Sequence, residues 1–205
     1  MISFKIPVDM FSYAYKEVKA NKGAGGVDGI EIEEFDKDWK DNLNKLWNRM
    51  SSVNYFPKPV RGVEIPKKNG KMRLLGIPTV EDRVAQMVLR NQIEPLVEPI
   101  FHEDSYGYCP TKSVLDAVGQ ARNQCFSTKR VVEFDIVGLF DNIDYEQLMR
   151  LVEYYVKDKW VTLYIKRCLT TPIQMMNGQI LERKSGTPQG GVISPVLANL
   201  FSLCV

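Results

Sequence analysis

Apolar and polar positions alternate with two periods along this chain, and the change of period predicts the elements. Asp9 can cap a helix from Met10 to about Ala20, with Phe11, Ala14, Tyr15 and Val18 on one face. After the Gly23-Ala-Gly-Gly26 loop, a helix is expected from Glu34 to Met50, burying Phe35, Trp39, Leu43, Leu46 and Met50. Two strands follow, Val60 to Ile65 and Lys71 to Ile77, joined by a turn containing Asn69-Gly70, a strong hairpin signal. Thr79 caps a long helix from Val80 to about Val97, which Pro95 should bend or end. Ser113 caps another, with Val114, Leu115, Val118, Ala121 and Cys125 on its apolar side.

The period then falls to two. In Val131 to Ile136, Val132, Phe134 and Ile136 share one face and Glu133 and Asp135 the other, which predicts a strand. Gly138 opens a turn, with Asp141 and Asn142 as polar turn residues, and Asp144 with Gln147 reads as a helix cap and its capping-box acceptor. Helices are expected from Tyr145 to about Val156 and from Lys159 to Leu169. A second hairpin, Pro172 to Glu182, turns at Asn177-Gly178. Ser194 and Pro195 suit the cap and first position of a last helix. Helices packed on small antiparallel sheets make this an α+β protein.

At 205 residues, the chain is long enough for one large domain or two small ones sharing a core. Hydrophobic residues make up 44% and charged residues 25%, ordinary for a globular protein. The net charge of +2 is uninformative, but its distribution is not: Lys58, Arg61, Lys67, Lys68, Lys71 and Arg73 cluster on the first hairpin against one acid, Glu64. Cys109, Cys125, Cys168 and Cys204 form no C-x-x-C pair and there is one histidine, so a zinc site is not expected. Without a signal peptide or a membrane-spanning apolar run, reduced thiols in a cytoplasmic protein with no membrane partner are the expectation.

Three segments carry candidate chemistry. Asp135 ends an otherwise apolar strand, and a carboxylate there needs a charged partner; a hard cation such as Mg²⁺, with the Ile136 carbonyl as a second ligand, would serve. Arg61, Lys67 and Arg73 on a rigid hairpin can clamp a triphosphate, Arg as a planar fork and Lys as a point charge; a solvated hairpin tip is the alternative. In Thr187-Pro-Gln-Gly-Gly191, Gly190 and its neighbour let a nucleotide or template backbone approach and Gln189 can hydrogen-bond to it; a capped tight loop is the alternative. Phe140 could floor a sugar pocket or could be a core aromatic.

Five blocks carry a resemblance: Lys19 to Gly29, Ile65 to Thr79, Asp104 to Tyr108, Phe134 to Asp144 and Gly186 to Phe201. In that order they resemble the N-terminal part of a bacterial group II intron-encoded reverse transcriptase (maturase), over about residues 9 to 201. The resemblance implies polymerase fingers over residues 1–112, with the basic hairpin 60–77, and part of a palm over 113–205, the thumb and maturase X region being absent. It implies Lys67 and Arg73 on the triphosphate with Arg61 nearby, and Asp135 as the first catalytic carboxylate with Ile136 lending its carbonyl to the metal. It further implies Phe140 as the gate against a ribose 2′-hydroxyl, and Gln189 and Gly190 against nucleotide or template. Two Mg²⁺ ions, dNTPs, an RNA template with a DNA primer and group II intron RNA are the implied cofactor and partners.

Three substitutions depart from that family: Val137 where Lys is usual, Cys109 where Arg is, and Thr111 where Gly is. The larger departure is that no Tyr-Ala-Asp-Asp occurs in the 205 residues, so Asp135 lacks its partner carboxylates. Polymerisation by these residues alone is not expected, and an open strand edge at Asp135 predicts a homodimer or oligomer that covers it. The alternatives are an RNA-binding maturase module without chemistry, gripping phosphates, and another palm enzyme such as a nucleotide cyclase.

Overall fold

The computed structural model describes residues 3–67, 70, 72–128 and 130–203. The helices are α1 (Asp9–Asn21), α2 (Ile32–Lys37), α3 (Trp39–Ser51), α4 (Val80–Val97), α5 (Val114–Ser127), α6 (Leu139–Asn142), α7 (Tyr145–Tyr155), α8 (Lys159–Leu169) and α9 (Ser194–Ser202). The strands are β1 (Val60–Pro66), β2 (Met72–Ile77), β3 (Ile173–Met175) and β4 (Ile180–Leu181). The α+β class expected from the sequence is the one observed.

The two hairpins do not form separate antiparallel sheets. They merge into one four-stranded mixed sheet in the order β2-β1-β3-β4. β1 and β2 are antiparallel, with Arg61 opposite Ile77 and Ile65 opposite Arg73. β1 and β3 are parallel, with Val60 beside Ile173 and Arg61 beside Gln174. Nothing local in either hairpin encodes a parallel pairing between strands so far apart in the chain. Of the expected first turn, Lys68, Asn69 and Lys71 lie outside the described residues; Gly70 closes it, donating to the Lys67 carbonyl at 3.0 Å.

The long helix expected from Glu34 to Met50 is two. Asp38 leaves helical geometry (φ −124°, ψ 32°), and the Asn42 side-chain amide donates to the Phe35 carbonyl at 3.2 Å, satisfying an end of α2. Asp9, expected as the first cap, lies inside α1, whose cap position is Val8 with no side-chain cap bond; the side-chain caps expected at Thr79, Ser113 and Asp144 hold. The Thr79 hydroxyl accepts from Asp82 N, Ser113 forms a capping box with Asp116, and the Asp144 carboxylate accepts from Gln147 N. The last helix starts differently, with Ile193 as its cap and Ser194 inside it.

One apolar core runs from Phe11 and Leu46 through α4 to Leu148, Ile165 and Leu197, continuous across both halves of the chain. α4 is its axis, contacting α1, α3, α8 and α9. It also buries polar groups. Asp82, 2% exposed, accepts from Tyr55 Oη and Thr79 Oγ1, each at 2.7 Å, and from Lys58 N at 3.3 Å. Arg83 donates to the carbonyls of Lys22 and Ala24 at 3.1 and 2.8 Å, holding the glycine loop after α1.

Two expected elements fail to pack. α5 forms, but none of its residues is buried, and Val114 and Leu115 are 78% and 81% exposed. Residues 131–136 form no strand: they are irregular and exposed, with Phe134 88% exposed. A strand needs a neighbour to take up its backbone hydrogen bonds, and among the described residues none lies beside this segment. Cys109, Cys125 and Cys168 are free thiols; Cys204 lies outside the described residues. Among the described residues no helix is long and apolar enough to cross a membrane.

Burial pushes the Asp82 carboxyl pKa up, partly offset by the hydrogen bonds from Thr79 and Tyr55. A raised pKa in the folded state favours the protonated form there, so its stabilising contribution is complete below the unfolded-state value and is lost as pH rises. Urea unfolding of wild type and Asp82→Asn at about pH 4 and pH 7 checks this: wild type should lose stability relative to the variant between the two.

Candidate nucleotide-binding site

Loop 185–193 is tied from three directions. Towards α6, Ser185 Oγ donates to the Asp141 carbonyl at 3.1 Å, Thr187 N to the Phe140 carbonyl at 2.7 Å, and Gly186 N to the Ile143 carbonyl at 2.8 Å. Towards the sheet, Gly76 N donates to the Gln189 carbonyl at 2.9 Å. Towards α4, Val192 N donates to the buried Gln86 Oε1 at 2.8 Å. Inside the loop, Ser194 Oγ donates to the Pro188 carbonyl at 2.8 Å, so the hydroxyl of Thr187, 2.7 Å away, donates to Ser194.

Two glycines make these approaches possible. Gly186 has φ +77°, and a Cβ there would sit 2.5 Å from the Phe140 carbonyl oxygen. Gly190 has φ +117°, and a Cβ there would sit 2.6 Å from the Gly76 carbonyl oxygen. Both positions exclude a side chain by conformation and by space.

The loop presents Gln189 between opposite charges. Arg73 Nε, on β2, donates to Gln189 Oε1. Gln189 Nε2 faces both carboxylate oxygens of Asp141, 3.4 Å from each. Phe140, next to Asp141 on α6, is half-buried against the core. The structure thus brings Arg73, Gln189, Gly190 and the Phe140 turn together, from positions 116 residues apart in the case of Arg73 and Gln189. Asp141 is the member that the sequence reading left out, because its position after Gly138 suits a turn.

Other expected site residues are not bonded to this cluster among the described residues. Lys67 is exposed at the hairpin tip. Arg61 is half-buried in β1 with a buried Nε that finds no partner among the described residues. No hydrogen bond or ion pair among the described residues joins Lys67, Arg61 or Asp135 to Gln189. Asp135 and Ile136 lie on the exposed irregular segment, and the described residues contain no group of three or more His, Cys, Asp or Glu able to hold a metal. One carboxylate and one carbonyl do not make a site for a cation that takes six or so oxygens, so the donor set does not fit a divalent ion on its own.

The fold agrees with what the chain is related to. The sequence family described as reverse transcriptase (RNA-dependent DNA polymerase) matches residues 65–202, and the chain belongs to it. The chain is 36% identical over 194 residues to the group II intron-encoded protein LtrA of Lactococcus lactis subsp. cremoris, covering 94% of this chain and 32% of that protein. It is 36% identical over 190 residues to protein YkfC of Escherichia coli K12, covering 89% of this chain and 49% of that one. It is 28% identical to a putative COX1/OXI3 intron 1 protein of Saccharomyces cerevisiae, covering 100% and 24%. The chain therefore spans between a quarter and a half of these relatives' lengths. A solved Cas6-RT-Cas1–Cas2 complex has a chain of the same fold, with a TM-score of 0.60 at 22% identity over 96% of this chain and 32% of that one.

The Gly190 geometry has a measurable consequence. Gly190→Ala combines left-handed strain with a clash against backbone, and should cost about 1–3 kcal/mol. A urea midpoint equal to wild type would show that the loop is not held as described.

Proposed function

We propose that the chain carries the fingers (residues 1–112) and part of the palm (113–205) of an RNA-directed DNA polymerase encoded by a group II intron, extending a DNA primer on an RNA template from dNTPs. The observation that best supports this is the Arg73–Gln189 pair, set at the edge of the sheet on a loop tied to three elements. A guanidinium held there is suited to a phosphate, which it contacts as a planar fork. Arg61 and Lys67 would add positive charge along the triphosphate. Gly190 would let the nucleotide or template backbone come close, and Phe140 would stand against a ribose 2′-hydroxyl. Group II intron RNA would be the macromolecular partner, in the cytoplasm.

Asp135 is the residue we assign as catalytic carboxylate. Mg²⁺ is the cation this reading implies, and Asp135 and the Ile136 carbonyl would be two of its oxygen ligands, too few to hold it alone. No Tyr-Ala-Asp-Asp lies within residues 1–205 to add partner carboxylates. These residues by themselves should bind nucleotide without polymerising it. Titration with dGTP followed by NMR should show binding that Arg73→Ala weakens about tenfold, the scale of one charge-assisted contact, while primer extension on an RNA template gives no product. Equal binding by wild type and Arg73→Ala, or clear extension, would overturn the reading.

Apolar side chains of both α5 and residues 131–137 are exposed, among them Val114, Leu115, Val118, Phe126, Phe134 and Val137. In a pure solution of residues 1–205 a second copy is the one partner able to cover them. Light scattering at micromolar concentration should give a dimer; a monomer at every concentration tested would remove the idea.

A further inference from the structure

We propose that Asp141 is a positioning residue, whose carboxylate sets the orientation of the Gln189 carboxamide and, through it, the direction in which Arg73 presents its guanidinium to a nucleotide phosphate. The phosphate part rests on the function proposed above; the orientation of the amide does not.

A carboxamide has an accepting end and a donating end of nearly equal size, so only its neighbours decide which way it faces. Gln189 has a cation on one side and an anion on the other. In the orientation observed, its oxygen accepts from Arg73 Nε and its NH₂ faces both oxygens of Asp141 at 3.4 Å. Turned over, the oxygen would face a carboxylate and the NH₂ a guanidinium. Both contacts would then be repulsive, and both hydrogen bonds would be lost. The anion is therefore as necessary to the orientation as the cation.

The carboxylate is not needed to hold the backbone in place. Asp141 N donates to the Gly138 carbonyl at 3.0 Å, and its own carbonyl accepts from Ser185 Oγ at 3.1 Å. Gly186 packs so closely that a Cβ would lie 2.7 Å from the Asp141 carbonyl oxygen. α6 and the Gln189 loop are thus one piece through main-chain contacts, and the Asp141 side chain is left to act on the amide. With Arg73 Nε committed to Gln189, the two terminal nitrogens of Arg73 carry no recorded partner among the described residues, and they form the fork that grips an anion.

The test reads the orientation directly. In ¹⁵N NMR of the 205-residue chain, the Arg73 Nε–H should exchange slowly with water, and Asp141→Ala should speed that exchange and move the Gln189 side-chain amide signals. Asp141→Asn, which keeps the size and removes the charge, should act in the same direction and less. Asp144→Ala loses a helix cap, the carboxylate that accepts from Gln147 N at 2.8 Å, and so serves as the control for lost stability; it should leave the Arg73 signal alone. Unchanged Arg73 exchange and Gln189 shifts in both Asp141 variants would overturn the proposal, as would an equal response to Asp144→Ala. On the same samples, Asp141→Ala should weaken dGTP binding about tenfold. If wild type binds dGTP and Arg73→Ala weakens it but Asp141→Ala does not, the positioning role falls and the nucleotide site stands. If wild type binds no dGTP, the nucleotide reading falls and the exchange rates still decide the role of Asp141.

Discussion

The structure depends on the requirement that polar groups buried with α4 find partners. Asp82, Arg83 and Gln86 lie within two turns of α4, in a run from 82 to 89 in which every residue is buried, and each is less than a tenth exposed. A buried polar group without a partner is costly, so each of the three recruits a different segment. Asp82 takes Tyr55, Thr79 and the Lys58 backbone at the entry to β1. Arg83 takes the loop after α1. Gln86 takes Val192 at the end of the glycine-rich loop. The hairpin and the loop that meet at Arg73 and Gln189 are therefore anchored to neighbouring turns of one helix, and their relative position is inherited from it.

That inheritance explains which parts were legible in the sequence. Caps at Thr79, Ser113 and Asp144 depend on residues three apart and were readable, as were the bounds of α8 and both hairpins. The split between α2 and α3 was not readable from periodicity, because it rests on a side-chain bond from Asn42 to the Phe35 carbonyl. Nor was the parallel pairing of β1 with β3, which joins Val60 to Ile173. Gln189 could be singled out from its glycine neighbours, but the partners that define it, Arg73 and Asp141, are 116 and 48 residues away. Asp141 carried a sufficient local explanation as a turn residue, so nothing in the sequence pointed beyond it.

The segment 131–136 shows the opposite case, a local pattern that the fold does not use. Alternation of Val132, Phe134 and Ile136 specifies which side chains would share a face of a strand, and so sets a preference for pairing. It does not supply the pairing. A strand's hydrogen bonds run to its neighbours, and the four strands among the described residues are joined to one another elsewhere, in the order β2-β1-β3-β4. α5 behaves in the same way: its capping box is complete, so the helix forms, yet its apolar side faces no element among the described residues. Capping is decided within four residues, whereas burial needs a second surface.

The two halves of the expected chemistry therefore rest on different physical footings. The groups around Gln189 stand on backbone ties to α6 and β2 and on the Gln86 side chain of α4, with glycines admitting the close approaches, so their geometry is set before any ligand arrives. Asp135 and Ile136 stand on exposed chain with no such ties. A carboxylate at the end of a strand is placed to within the tolerance of a metal site only when the strand is paired. Binding of an anion at Arg73 requires little of the rest of the molecule to change, whereas any role of Asp135 as a metal ligand requires its segment first to be held by a neighbouring chain segment.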